Sequence, residues 1–180
     1  TSGCPEVIGE VGYTTLERIW ARPTLDVNGM LSGFTGEGAK TIIPAWASAK
    51  VSMRLVPDQR PEEIEDLFEK AVKKLAPSTV RVEVTRHHGG LPFLAPTEHP
   101  AFLACARALE QAFGRKPVFT REGGSIPFVR DIGDALGVPC ILLGFGLPDE
   151  NAHAPNERLH LYNFHQGIHA VAYLFEEIAR

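Results

Sequence analysis

Cysteine is scarce in this chain: Cys4, Cys105 and Cys140 are the only three in 180 residues, and none are spaced C-x-x-C. An odd count without that spacing suits a reducing compartment with structural thiols rather than a disulfide framework. Cys140 lies in the apolar stretch VPCILLGFG, a setting that favours an inert, buried thiol. Positive charge is also short, with 18 Lys and Arg against 22 Asp and Glu and a net charge of -4. No basic cluster offsets the deficit, so nucleic acid is not an expected partner. No apolar run reaches the ~18 residues of a membrane span. Internal repeats, low-complexity tracts, an initiator Met and a signal-peptide pattern are all missing. The start TSGCPEVIGEVGYTT mixes Gly, Pro and Thr without a usable period and reads as loop.

What remains is a globular composition, 44% hydrophobic and 22% charged. The length fits one domain or two small ones. In the first half, 24–34 is a candidate strand, followed by the Gly-rich turn TGEGAK. From Ala47 the pattern alternates: Ala47, Ala49, Val51, Met53 and Leu55 share one face, and Ser48, Lys50, Ser52 and Arg54 the other. A period of two marks a strand with one buried face, so Arg54 points away from its own core. Pro61 opens a helix, with Glu62 and Glu63 at its positive end and Lys70, Lys73 and Lys74 at its negative end. Ile64, Leu67, Phe68, Ala71, Val72 and Leu75 form its apolar stripe. Residues 79–86 alternate again, with Val80, Val82 and Val84 inward. Residues 22–90 therefore predict a small antiparallel sheet with a helix on one face, an α+β unit.

The second half changes rhythm after the proline-rich boundary at 89–100. Helices are expected over 99–113, 126–137 and 160–179, with strands over 117–120 and 139–144 between them. This αβαβα order implies a parallel sheet, and the continuously apolar CILLGF suits a strand covered on both faces. Two strands do not make such a sheet, which normally has ~5–6. The second half is thus expected to be the edge of a larger α/β domain.

Ligands in open α/β sheets bind beyond the carboxyl ends of strands, and two loops leave such ends here. In REGGSIP (121–127), Glu122 suits a cationic group, and Gly123 and Gly124 allow close backbone approach. Ser125 either caps the next helix or marks an anion site at its N-terminus. In GLPDENAHAPNERLH (146–160), His153 reads as a surface residue or as a metal ligand. Asp149, Glu150 and Glu157 match no compact metal motif around it. His165 and His169 are four apart but lack the Glu of a zinc-protease helix; they flank a core stripe of Leu161, Phe164, Ile168, Val171, Ala172, Phe175 and Ile178. Arg54 is either a solvated side chain or a bidentate carboxylate clamp, and His88 either loop filler or a cleft residue.

Three stretches, AKTIIPAWASAKVSMRLVPDQRPEEI, REGGSIP and NAHAPNERLHLYNFHQGIHAVAYL, together resemble the M20 metallopeptidases, in the cytosolic non-specific dipeptidase and carnosinase-like branch. The resemblance runs from about Gly12 to Arg180. It implies a catalytic domain with two divalent metals, zinc or manganese, and an inserted lid domain that forms a homodimer. Residues 1–21 would be linker or loop, 22–96 an incomplete lid, and 97–180 the last part of the catalytic domain. His153 would be a metal ligand, and Arg54 would bind the substrate's terminal carboxylate. Glu122, Gly124 and Ser125 would contact substrate, Thr41 would reach the partner subunit's active site, and His88 would line the pocket. The other ligands and the general base would lie upstream, so the chain is expected to be a C-terminal portion of a longer cytoplasmic dipeptidase, inactive by itself and binding no metal stably. Two alternatives remain open: hydrolysis of N-acyl amino acids on the same fold, and a dimerisation module alone.

Overall fold

The computed structural model of the chain describes residues 5–123 and 126–179. They fall into two units, one built from the residues up to Phe93 with the 121–127 loop, the other from 94–120 with 128–180. The fold is α+β: one two-stranded antiparallel sheet and five helices among the described residues.

The first unit opens with α1 (Thr15–Ala21), within a stretch expected to be loop. Its start is a capping box: the Glu17 N–H donates to Thr14 Oγ1 at 3.3 Å, and the Thr14 N–H donates to Glu17 Oε2 at 2.7 Å. At 7 residues, α1 is too short to carry a hydrophobic period, so only the T-x-x-E spacing could have announced it. Next, β1 (Thr24–Ser32) pairs with β2 (Ala47–Arg54), with Thr24 opposite Arg54 and Val27 opposite Val51. The register shifts between Val27 and Gly29, a bulge that breaks the alternation of β1. The period of two in β2 survives at its C-terminal end, where Val51 and Met53 are half-buried and Ser52 and Arg54 exposed.

Helix α2 (Pro61–Leu75) starts with Pro at its first position and carries Glu62 and Glu63 there, with Lys73 and Lys74 in its last turn. Of its expected stripe, Ile64, Phe68 and Val72 are half-buried, while Leu67, Ala71 and Leu75 are exposed. The strand expected over 79–86 has no ladder partner among the described residues, and a strand exists only through its neighbour's N–H and C=O groups. Side chains tie this segment to α2 instead. Arg86 donates to Asp66 Oδ1 and Glu69 Oε2, both at 2.6 Å, and Val82 and Val84 are half-buried.

The Lys73 ammonium and the Arg86 guanidinium draw the Glu69 carboxyl down from 4.5 to about 2. A folded-state value below the unfolded one gives stabilisation that is complete above pH 4.5 and disappears as pH falls toward 2. Chemical denaturation between pH 6 and 2 should therefore show a shallower acid loss for Glu69→Gln than for the parent. Equal slopes would mean that the tether contributes nothing.

The second unit packs α3 (Pro100–Phe113) against α5 (Leu161–Ile178), with α4 (Pro127–Leu136) between them in sequence. Phe102, Ala104, Cys105 and Ala108 are buried on α3, and Gly167 and Ala170 on α5. Arg107 Nε and Glu177 Oε2, 2.6 Å apart, join the two helices. Gly167 is required by close approach: a Cβ there would lie 3.2 Å from the Phe145 ring, which stacks on Phe113 at 6.1 Å.

The expected core stripe of α5 is corrected by this packing. Leu161, Phe164, Ile168, Val171, Ala172, Phe175 and Ile178 are all exposed. Helix α5 is apolar around much of its circumference, so period alone could not choose its buried face. The small residues decide it: Gly167 and Ala170 are the buried positions, and Gly167 admits the Phe145 ring where a larger side chain could not. The strands expected over 117–120 and 139–144 likewise have no ladder partners among the described residues.

Surface area measures what is left uncovered. The chain exposes 14763 Å². A folded monomer of 19.7 kDa exposes roughly 8,600 Å², and two independent bodies of half that mass roughly 10,400 Å². The excess does not depend on how the units are arranged.

Candidate functional site

Residues 146–160 connect the extended apolar segment to α5 without regular secondary structure, yet they are closely tied. Backbone N–H groups of Glu150, Ala154 and Glu157 donate to the carbonyls of Leu147, Asn151 and Ala154 at 3.0–3.2 Å. The Arg158 N–H donates to the Glu150 carbonyl at 3.0 Å. Asp149 and Arg158 pair at 2.8 Å. Asn151, His153 and Asn156 all take left-handed backbone, with φ of 55°, 62° and 62°. Asn and His are among the residues that tolerate this region best. His153 thus stands exposed in a conformation that several backbone bonds impose.

The metal expectation at His153 can be tested on the donors present. Among the described residues, no group of three or more His, Cys, Asp and Glu side chains is placed to hold a metal ion. A catalytic zinc normally takes three protein ligands and an open position. The described residues therefore do not fit a metal centre by themselves. His165 and His169 do not supply one either: His165 lies edge-on to Phe164, and His169 contacts Gln166 at 3.2 Å.

In the other unit, Arg54 ends β2 and is exposed. Its guanidinium donates to the Gly123 carbonyl, which joins the end of β2 to the 121–123 stretch of REGGSIP. Gly123 permits a close approach, but by protein: a Cβ there would sit 2.6 Å from the Ile19 carbonyl oxygen of α1. The glycine is thus needed for packing against α1. Glu122 is exposed beside it. Gly124 and Ser125, named as substrate contacts from the sequence, lie outside the described residues.

Thr41 is exposed in the connection between β1 and β2. His88 is exposed next to Gly89, whose Cα comes so near α2 that a Cβ would lie 2.7 Å from Pro61 Cβ. The structure thus joins Arg54 to the loop of Glu122, and leaves Thr41 and His88 on their own exposed segments. It also draws attention to Glu150, which the sequence offered only as a carboxylate near His153 that matches no metal motif. That residue is only 7% exposed, and its side-chain Oε1 accepts the His160 N–H at 2.9 Å. No period or motif marks it, and its partner lies ten residues away.

Comparison with known proteins places these features in a family. Residues 7–177 match the model of peptidase family M20/M25/M40. The Cys-Gly metallodipeptidase of Schizosaccharomyces pombe is 35% identical over 168 residues, covering 92% of this chain and 35% of that protein. The human Beta-Ala-His dipeptidase is 29% identical, covering 92% of this chain and 33% of its own length. The solved structure of the dipeptidase Dug1p from Saccharomyces cerevisiae superimposes with a TM-score of 0.75 at 33% identity, covering 90% of this chain and 34% of that one. The chain spans about a third of the length of the curated relatives it matches. It belongs to peptidase family M20/M25/M40.

Proposed function

We propose that this chain contributes substrate-binding residues and one metal ligand to the hydrolysis of dipeptides and short peptides by a two-metal centre holding zinc or manganese. The observation that carries the reading is its likeness, over 92% of its length, to two dipeptidases named for different dipeptides, one of them a metallodipeptidase. His153 is the ligand this chain brings. The remaining ligands and the general base belong to residues outside these 180, and the chain by itself is inactive for want of them.

A dipeptide is a zwitterion, and the residues proposed to hold it have matching charges. Arg54 takes the terminal carboxylate through two parallel N–H···O bonds. Glu122 takes the terminal ammonium, and Gly124 and Ser125 line the same loop. Thr41 reaches the active site of the partner subunit in a homodimer formed through residues 22–96, and His88 lines the pocket. Residues 97–180 then belong to the catalytic domain. The scarcity of cysteine agrees with a cytoplasmic setting.

The test is a substrate panel on the protein that carries this chain, loaded with zinc or manganese. Cys-Gly and β-Ala-His should be cleaved faster than N-acetyl amino acids, and chelation should abolish both activities. Faster cleavage of the acyl amino acids, which lack the free amine that Glu122 would bind, would replace this reading with an amidohydrolase.

A further inference from the structure

We propose that Glu150 is a positioning residue that clasps the 146–160 loop and so sets the backbone from which His153 projects. This rests on the reading of His153 as a metal ligand. Glu150 ties the loop at three points. Its N–H donates to the Leu147 carbonyl at 3.2 Å, its carbonyl accepts from Arg158 at 3.0 Å, and its side-chain Oε1 accepts the His160 N–H at 2.9 Å. His153 lies between the second and third residues so joined, Glu150 and Arg158. The closure is thus made across the histidine rather than beside it.

The chemistry suits a carboxylate. His160 is the N-cap of α5 and makes no side-chain cap of its own. The first N–H groups of a helix have no internal partner, and the positive end of the helix dipole favours an anion there. Burying the Glu150 carboxyl costs hydration, which the His160 N–H and the helix end offset. The other oxygen lies over Gly146, which leaves it room: a Cβ there would lie 3.0 Å from Oε2. Both ends of the loop therefore bear on one side chain. A metal ligand has to be held within about 0.5 Å of its productive position, and a loop with three left-handed residues has many alternative shapes unless something closes it.

The test compares Glu150→Ala, Glu150→Gln, Gly146→Ala and His153→Ala in the protein that carries this chain. Amide exchange at His160 and Arg158 reads the clasp, and zinc affinity by chelator competition reads the ligand. Glu150→Ala should speed exchange and weaken zinc about tenfold, the low end of what lost outer-shell partners cost. Glu150→Gln keeps an oxygen acceptor and should restore both readouts, which a general loss of stability would not do. Gly146→Ala presses on the carboxylate without removing it, and should speed His160 exchange even if Glu150→Ala does not fold. Unchanged exchange in Glu150→Ala, or in Gly146→Ala where only that variant folds, would overturn the clasp. Faster exchange with unchanged zinc affinity would overturn the positioning role. His153→Ala should weaken zinc and leave His160 exchange intact. Zinc affinity unmoved by that variant would instead overturn the reading of His153, and the positioning role with it.

Discussion

Replacing His153 by Ala in the protein that carries this chain should lower kcat/KM for dipeptides by about a thousandfold, or ~4 kcal/mol of transition-state stabilisation. A catalytic zinc has few protein ligands to spare, normally three, so losing one empties or displaces the ion. The measurement pairs kinetics with metal content per subunit. Full metal occupancy and parental activity in His153→Ala would remove the histidine from the metal centre. His153 is exposed and its side chain is not among the hydrogen bonds that close its loop, so the change costs the fold only the strain of Ala in left-handed backbone, about 1 kcal/mol, well below the expected loss in activity.

Arg54→Ala should cost about 3 kcal/mol, roughly 150-fold in kcat/KM, on substrates with a free terminal carboxylate, as expected for charge-assisted hydrogen bonds. The same guanidinium holds the Gly123 carbonyl, so a fall in activity could also come from a released loop. Substrates with an amidated C-terminus separate the two causes. The parent should discriminate acid from amide strongly, and Arg54→Ala should hardly discriminate at all. Arg54→Lys should recover only part of the difference, since an ammonium cannot make the two parallel bonds. A variant that distinguishes acid from amide as well as the parent does would show that the carboxylate is bound elsewhere.

Much of the local structure was legible in the sequence, and for local reasons. Pro61, the flanking charges and the period of α2 announced a helix that runs Pro61–Leu75. The alternation from Ala47 announced β2, and Gly114 ends α3 in left-handed backbone as a helix-terminating glycine should. Each of these rests on bonds or charges within a few residues. Helix α1 was missed because seven residues hold too little pattern, although its Thr14–Glu17 box was there to read.

The candidate site divides in the same way. Arg54 at a strand end, Glu122 after an extended segment and His153 in a Pro- and Asn-rich loop could be singled out from residue type and spacing. The contact of Arg54 with Gly123, sixty-nine residues later, could not. Nor could the bond from His160 to Glu150, or the use of Gly123 to admit the Ile19 carbonyl.

Residue order alone settled four of the five helices among the described residues and where β2 runs, and it singled out the side chains proposed to carry chemistry, because propensity, capping and period act over a few bonds. Packing settled which face of α5 is buried and which oxygen closes the His153 loop. It also settled that 79–86 is held to α2 by Arg86 rather than by a strand ladder. Those outcomes depend on volumes and partners brought together from distant parts of the chain. A pattern of apolar residues states that a face wants covering, and only the shape of the neighbour decides which face is covered.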